Sequence, residues 1–167
     1  MADPVVVATA KSASANSYVT RASAQSYLDT RLAVDAWTAA SGPDQDRALI
    51  MATSRLEQER YEGSRTTETQ RLQWPRDGVY DADGYAYDED VIPRPVEEAT
   101  AELALALLAG EISLAPTGLE GFEELSVGPV SLTPRGAGGS PSLPAQVTRI
   151  LRGLRTTAAG TVPIVRG

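Results

Sequence analysis

The sequence has no cysteine and no histidine, a single lysine (Lys11) and a single phenylalanine (Phe122). Without thiols or imidazoles it forms no disulfide, no zinc finger, no thiolate nucleophile and no imidazole general base. One lysine leaves little room for amine-based mechanisms. Carboxylates, hydroxyls and arginine are what remains for catalysis. No apolar run approaches the roughly 20 residues that a membrane-spanning helix needs. The opening MADPVVVATAKSA also lacks the basic start and long apolar core of a secretory signal. A soluble protein made in a cytoplasm, with no membrane partner, is expected.

What is present is enough chain for one domain, 167 residues, able to bury a core without metal or disulfide. The formal charge of -7 is unevenly spread. Residues 1–75 carry 9 acids and 8 bases, 76–102 carry 9 and 2, 103–132 carry 4 and 0, and 133–167 carry 0 and 5. An acidic middle therefore precedes a basic C-terminal segment. Nucleic-acid binders usually show a basic surplus that neutralises phosphates, so this pattern argues against a sequence-specific DNA reader.

Residues 1–15 are small and polar apart from Val5 to Val7 and read as a flexible arm. Thr20 suits an N-cap, and Ala24, Tyr27, Leu28 and Leu32 form an apolar stripe that predicts a helix over 21–34. The turn SGPDQD followed by Ala48, Leu49, Met51, Ala52 and Leu56 predicts a second over 44–61, ended by Gly63. Residues 63–93 show no helix or strand period, yet Trp74, Tyr80, Tyr85 and Tyr87 favour a long ordered loop over disorder. Pro95, Glu97 and Glu98 open a third helix, 95–109, whose AELALALLAG is apolar around most of its circumference and belongs in the centre of the core.

Further on, Leu125, Val127, Val130 and Leu132 suggest a short strand or hairpin broken at Gly128-Pro129. TPRGAGGSPSLP reads as a linker. Val147, Ile150, Leu151 and Leu154 then form the apolar side of a short helix whose other side carries Arg149, Arg152 and Arg155. The fold class is thus mainly α: a small helical bundle with a long ordered loop, a short β element and an extended C-terminal tail. Its divisions are an arm (1–15), a helical body (16–132), a linker (133–144) and a C-terminal helix with its tail (145–167).

The acidic loop contains DADG, as calcium loops often do, but the register fails. With Gly84 at the sixth loop position, Val79 falls where the first carboxylate belongs. Backbone turn formation explains Asp-x-Asp-Gly better. A hydrolase using two of Asp77, Asp81, Asp83, Asp88, Glu89 and Asp90 would need a separation that sequence does not show, and acid runs usually form solvated faces. The arginine face of the last helix suits phosphate, and Trp74 and Tyr80 suit base stacking, although their acidic setting favours packing against the protein. No enzyme activity, cofactor or metal is expected.

The ordered set NSYVT (16–20), ALIMAT (48–53), LQWPRDGVYDADG (72–84), IPRPVEEATAELALALLAG (92–110), SVGPVSL (126–132) and the terminal VRG resembles head-tail adaptor proteins of tailed double-stranded DNA bacteriophages. That resemblance implies a virion protein of the neck, assembled as a homo-oligomeric, dodecameric ring that continues the DNA channel. Its implied partners are the portal protein and the stopper or tail-completion protein, with double-stranded DNA passing nearby. Portal docking would fall to Arg149, Arg152 and Val162, Pro163, Ile164, Val165, Arg166 and Gly167. Trp74, Pro75, Arg76 and Tyr80 would anchor the loop and contact the next subunit, and Asp81, Asp83 and Asp88 would face the channel. The alternative is a single-stranded DNA-binding module, a label that some such relatives carry and that the charge distribution does not favour.

Overall fold

The structure, a computed structural model, describes residues 3–111, 122–125, 132–134 and 142–156. Helix α1 (Arg21–Leu28) begins where the Thr20 hydroxyl accepts the Ser23 amide at 3.1 Å. It is shorter than the apolar stripe predicts. Leu32 is 94% exposed and Ala33 has φ 57°, because the chain turns here to bring Trp37 of α2 (Asp35–Ala39) into the core. The Trp37 indole N–H finds Gln25 Oε1 at 2.7 Å, which satisfies its polar edge inside.

Helix α3 (Gly42–Leu56) is capped by Ser41, whose hydroxyl accepts the Asp44 amide, and has Pro43 in its first turn. It stops short of residue 61 because Tyr61 folds back. The Tyr61 hydroxyl donates to the Leu56 carbonyl at 3.0 Å, satisfying one of the helix's terminal acceptors, and its ring meets Trp74 edge-on with centroids 5.4 Å apart.

Helix α4 (Arg94–Leu108) is the central element, as its composition predicts. Val96, Ala99, Ala101, Leu103 and Ala104 are fully enclosed, and α1, α2, α3 and α5 all pack against it. Helix α5 (Ala145–Ile150) lays Val147 onto this core, followed by Leu151 and Leu154 from the turn after it. Burying three aliphatic side chains of this size contributes roughly 1.5–3 kcal/mol each. That offsets much of the backbone entropy lost on ordering the six-residue helix, about 1–2 kcal/mol per residue.

Two small antiparallel pairs complete the described fold. β1 (Ser64–Arg65) pairs with β2 (Arg76–Asp77), and β3 (Phe122–Leu125) pairs with β4 (Leu132–Pro134) through an irregular register. The second pair lies at the ends of the segment where the sequence suggests strand. The segment leading to α1 runs beside the body, held by Asn16. Its carboxamide accepts the Val7 amide at 2.7 Å and donates to the Val5 carbonyl at 2.8 Å.

Candidate nucleic-acid interface

Residues 57–93 have no periodic pattern because side chains rather than backbone ladders hold them. The Gln73 carboxamide donates to the carbonyls of Glu57 and Glu59, and buried Gln70 donates to those of Leu72 and Pro75. Arg76 is almost enclosed. Its guanidinium donates to the carbonyls of Glu62 and Gly63, both at 2.6 Å, of Gln73 at 3.3 Å and of Tyr61 at 3.5 Å. Burial pulls this group below its ordinary arginine value, and the ring of carbonyls compensates for the lost water.

These contacts make residues 60–65 a seam shared by two neighbours. On one side Tyr61 bridges Arg155, with the Glu62 amide on Leu154 O and the Thr156 amide on Arg60 O, both at 3.0 Å. On the other side Ser64 and Arg65 pair with Asp77 and Arg76. The chain then continues into a hairpin in which Tyr80 pairs with Ala86. A Cβ at Gly63, whose φ is 68°, would lie 2.1 Å from the Asp77 carbonyl oxygen, so only glycine lets the two strands approach this closely.

Cations divide sharply by location. Lys11 faces Asp90, Arg21 faces Asp46 at 3.4 Å, and Arg31 faces Glu102 at 2.8 Å. Arg47 faces Asp44 at 2.6 Å, Arg94 faces Glu98 at 2.6 Å, and Arg55 and Arg155 share Glu59. The arginines that face no carboxylate among the described residues are Arg60, Arg65, Arg71, Arg76, Arg149 and Arg152. All lie in the 60–76 segment, in α5 or in the turn after it. Arg76 is buried, whereas the other five reach solvent. Together, 60–76 and 142–156 hold 7 bases and 2 acids, Glu62 and Glu68, in a chain whose net charge is -7.

The residues singled out by sequence separate accordingly. Trp74 is 1% exposed and Pro75 and Arg76 are buried with it, so these three hold the loop from inside and Trp74 offers no face for a base. Tyr80 is 58% exposed and available. The Asp81 carboxylate accepts the amides of Asp83 and Tyr85 at 2.9 and 2.8 Å, and that of Asp88 accepts the Asp90 amide, so these acids shape turns. No three acidic side chains converge as a metal site among the described residues. Arg149 and Arg152 are exposed, while Val162 to Gly167 lie outside the described residues. Sequence reading missed Arg60, Arg65 and Arg71, since nothing local distinguishes them from the paired arginines.

The described fold is thus a helical body with a margin of exposed arginines that face no carboxylate among the described residues. Residues 4–167 match the family described as "Putative DnaT-like ssDNA binding protein", and the chain belongs to that family. No curated protein and no solved structure matches it.

The family match overturns the phage adaptor reading, and with it the dodecameric ring and the portal and stopper partners. Much of the motif set that carried the resemblance is structural. Trp74, Ile92, Val96, Ala99 and Leu103 are core residues that specify a packing arrangement, and a shared packing arrangement does not specify a partner. The charge argument against single-strand binding fails for a related reason. It rested on segment totals, which do not show that the arginines facing no carboxylate gather in one margin.

Proposed function

We propose that this chain is a non-catalytic single-stranded DNA-binding protein that holds the sugar-phosphate backbone along the 60–76 and α5 margin. The supporting observation is the confinement of the carboxylate-free arginines to that margin, in a chain of a family described by single-strand binding. Exposed Arg60 adjoins Tyr61 in the chain, and exposed Arg149 and Arg152 precede Arg155 in α5 and the turn after it. The net negative charge of the whole does not prevent this. At about 0.1 M salt the Debye length is ~10 Å, so acids on the far side of the body are screened from the margin.

The test is fluorescence anisotropy of a labelled oligothymidylate of about 30 nucleotides across a salt series. Three phosphate contacts give a slope of log K against log salt of about -2. Absence of binding at the lowest salt, or equal affinity for a duplex of the same length, would overturn the proposal.

A further inference from the structure

Two large aromatic side chains, Tyr80 at 58% and Tyr85 at 74% exposure, project from the hairpin that follows the seam. Their setting differs from that of the body's tyrosines. The hydroxyls of Tyr18, Tyr27 and Tyr61 each donate to an acceptor within the fold, whereas neither Tyr80 nor Tyr85 has a side-chain partner among the described residues. Fold stability gives no reason for exposing both rings.

The hairpin that carries them is firmly built. The Asp81 amide donates to Tyr85 O at 2.8 Å and the Tyr87 amide to Val79 O at 2.9 Å. The Asp81 carboxylate closes the turn, and Gly84 takes the positive φ of 88° that this turn requires. Val79, 1% exposed, and half-buried Tyr87 fasten its base to the core. Strand alternation places Tyr80 with Ala86 on one face and Tyr85 with Val79 and Tyr87 on the other. The result is a short tongue with a ring on each side, its backbone held before any ligand arrives, so that little backbone freedom is lost on binding.

We infer that this tongue is the base-contacting half of the single-strand site, with Tyr80 and Tyr85 stacking on unpaired nucleobases. The inference rests on the proposed single-strand function and extends it to base contact. Charge supports the division of labour. Asp81, Asp83, Asp88 and Glu89 lie close to the two tyrosines in the chain and repel phosphate, while the seam's arginines attract it. A strand lying along the seam therefore turns its backbone toward Arg60 and Arg152 and its bases toward the tongue. The Tyr61 bridge lies three residues from the Ser64–Asp77 pairing and Tyr80 three residues beyond Asp77, each step at most about 10 Å, so a strand of several nucleotides is needed to span both halves. A duplex, whose bases are already stacked and paired, offers the tongue nothing.

The experiment compares an oligothymidylate with an abasic oligomer of equal length, binding each to the unaltered protein, to the double variant Tyr80→Ala/Tyr85→Ala and to Tyr80→Phe/Tyr85→Phe. Thermal melting checks that the variants are folded, as expected for exposed positions. The unaltered protein and the phenylalanine variant should prefer the base-bearing strand by at least about tenfold. The alanine variant should bind both strands alike, at the abasic level, with an unchanged salt slope. Equal binding of the two strands by the unaltered protein, or oligothymidylate binding unaffected by the alanines, would overturn base stacking and leave backbone binding standing. Failure of the unaltered protein to bind either strand would overturn both.

Discussion

The helical body and the 60–76/α5 margin carry arginine in comparable numbers and, Arg155 apart, use it in opposite ways. In the body, Arg21, Arg31, Arg47, Arg55 and Arg94 each sit against a carboxylate. At the margin Arg60, Arg71 and Arg152 point to solvent without one. The difference teaches that total charge is a poor guide to nucleic-acid binding in an acidic protein. What matters is which charges remain after the fold has paired the others. An ion pair in the body is already satisfied and, where exposed, contributes less than about 1 kcal/mol. An unpaired arginine keeps its full capacity for a phosphate.

The largest expected effect comes from the one marginal arginine that is buried. Arg76→Ala removes the charged donor from four carbonyls at once, and the stability loss should be about 3 kcal/mol by urea unfolding, with Arg76→Lys failing to restore it. A loss below about 1 kcal/mol would mean that the seam does not depend on this residue.

A second effect, growing with pH, comes from the enclosed phenols. Burial first, then the neighbouring carboxylates Glu57, Glu102 and Glu59, hold Tyr18, Tyr27 and Tyr61 well above the ordinary tyrosine value of 10.0. Above that pH the unfolded tyrosines release protons that the folded ones retain, so the unfolded state is favoured. Stability should be intact below about pH 10 and then fall by up to about 1.4 kcal/mol per pH unit for each of Tyr18 and Tyr61, and by less for Tyr27, which solvent screens more. Chemical denaturation at a series of alkaline pH values measures the slope. Replacing the three by phenylalanine should flatten it, and a slope unchanged by the replacement would place its origin elsewhere.

The fold was legible where residues act through local pattern. The Thr20 cap, the Ala/Leu-rich face of α4 and the Val147, Leu151 and Leu154 stripe needed only spacing to be recognised. Helix ends were less legible, since α1 stops for Trp37 and α3 stops for Tyr61, and both reasons are tertiary. The loop could be recognised as ordered from its aromatics. How it is ordered could not, because Gln70, Gln73 and Arg76 act through carbonyls of residues that no periodicity relates.

The candidate site was half legible. Arg149 and Arg152 stood out as the polar side of a helix, and Tyr80 as an aromatic suited to stacking. Recognising Arg60 and Arg71 required knowing that Glu59 goes to Arg55 and Arg155, and that Glu102 goes to Arg31 across 71 residues. Sequence position holds no record of such pairings, and charge counted by segment therefore ranked single-strand binding too low.

The most direct test of the central claim sets two triple variants side by side in oligothymidylate binding at about 0.1 M salt. One replaces Arg60, Arg149 and Arg152 of the margin by glutamine, and the other replaces Arg21, Arg47 and Arg94 of the body. Each variant removes the same formal charge. The margin variant should bind roughly 100-fold more weakly with a salt slope near zero, and the body variant should remain within about twofold of the unaltered protein. Equal losses in the two variants would show that overall charge governs binding, and the distinction between paired and unpaired arginines would fall.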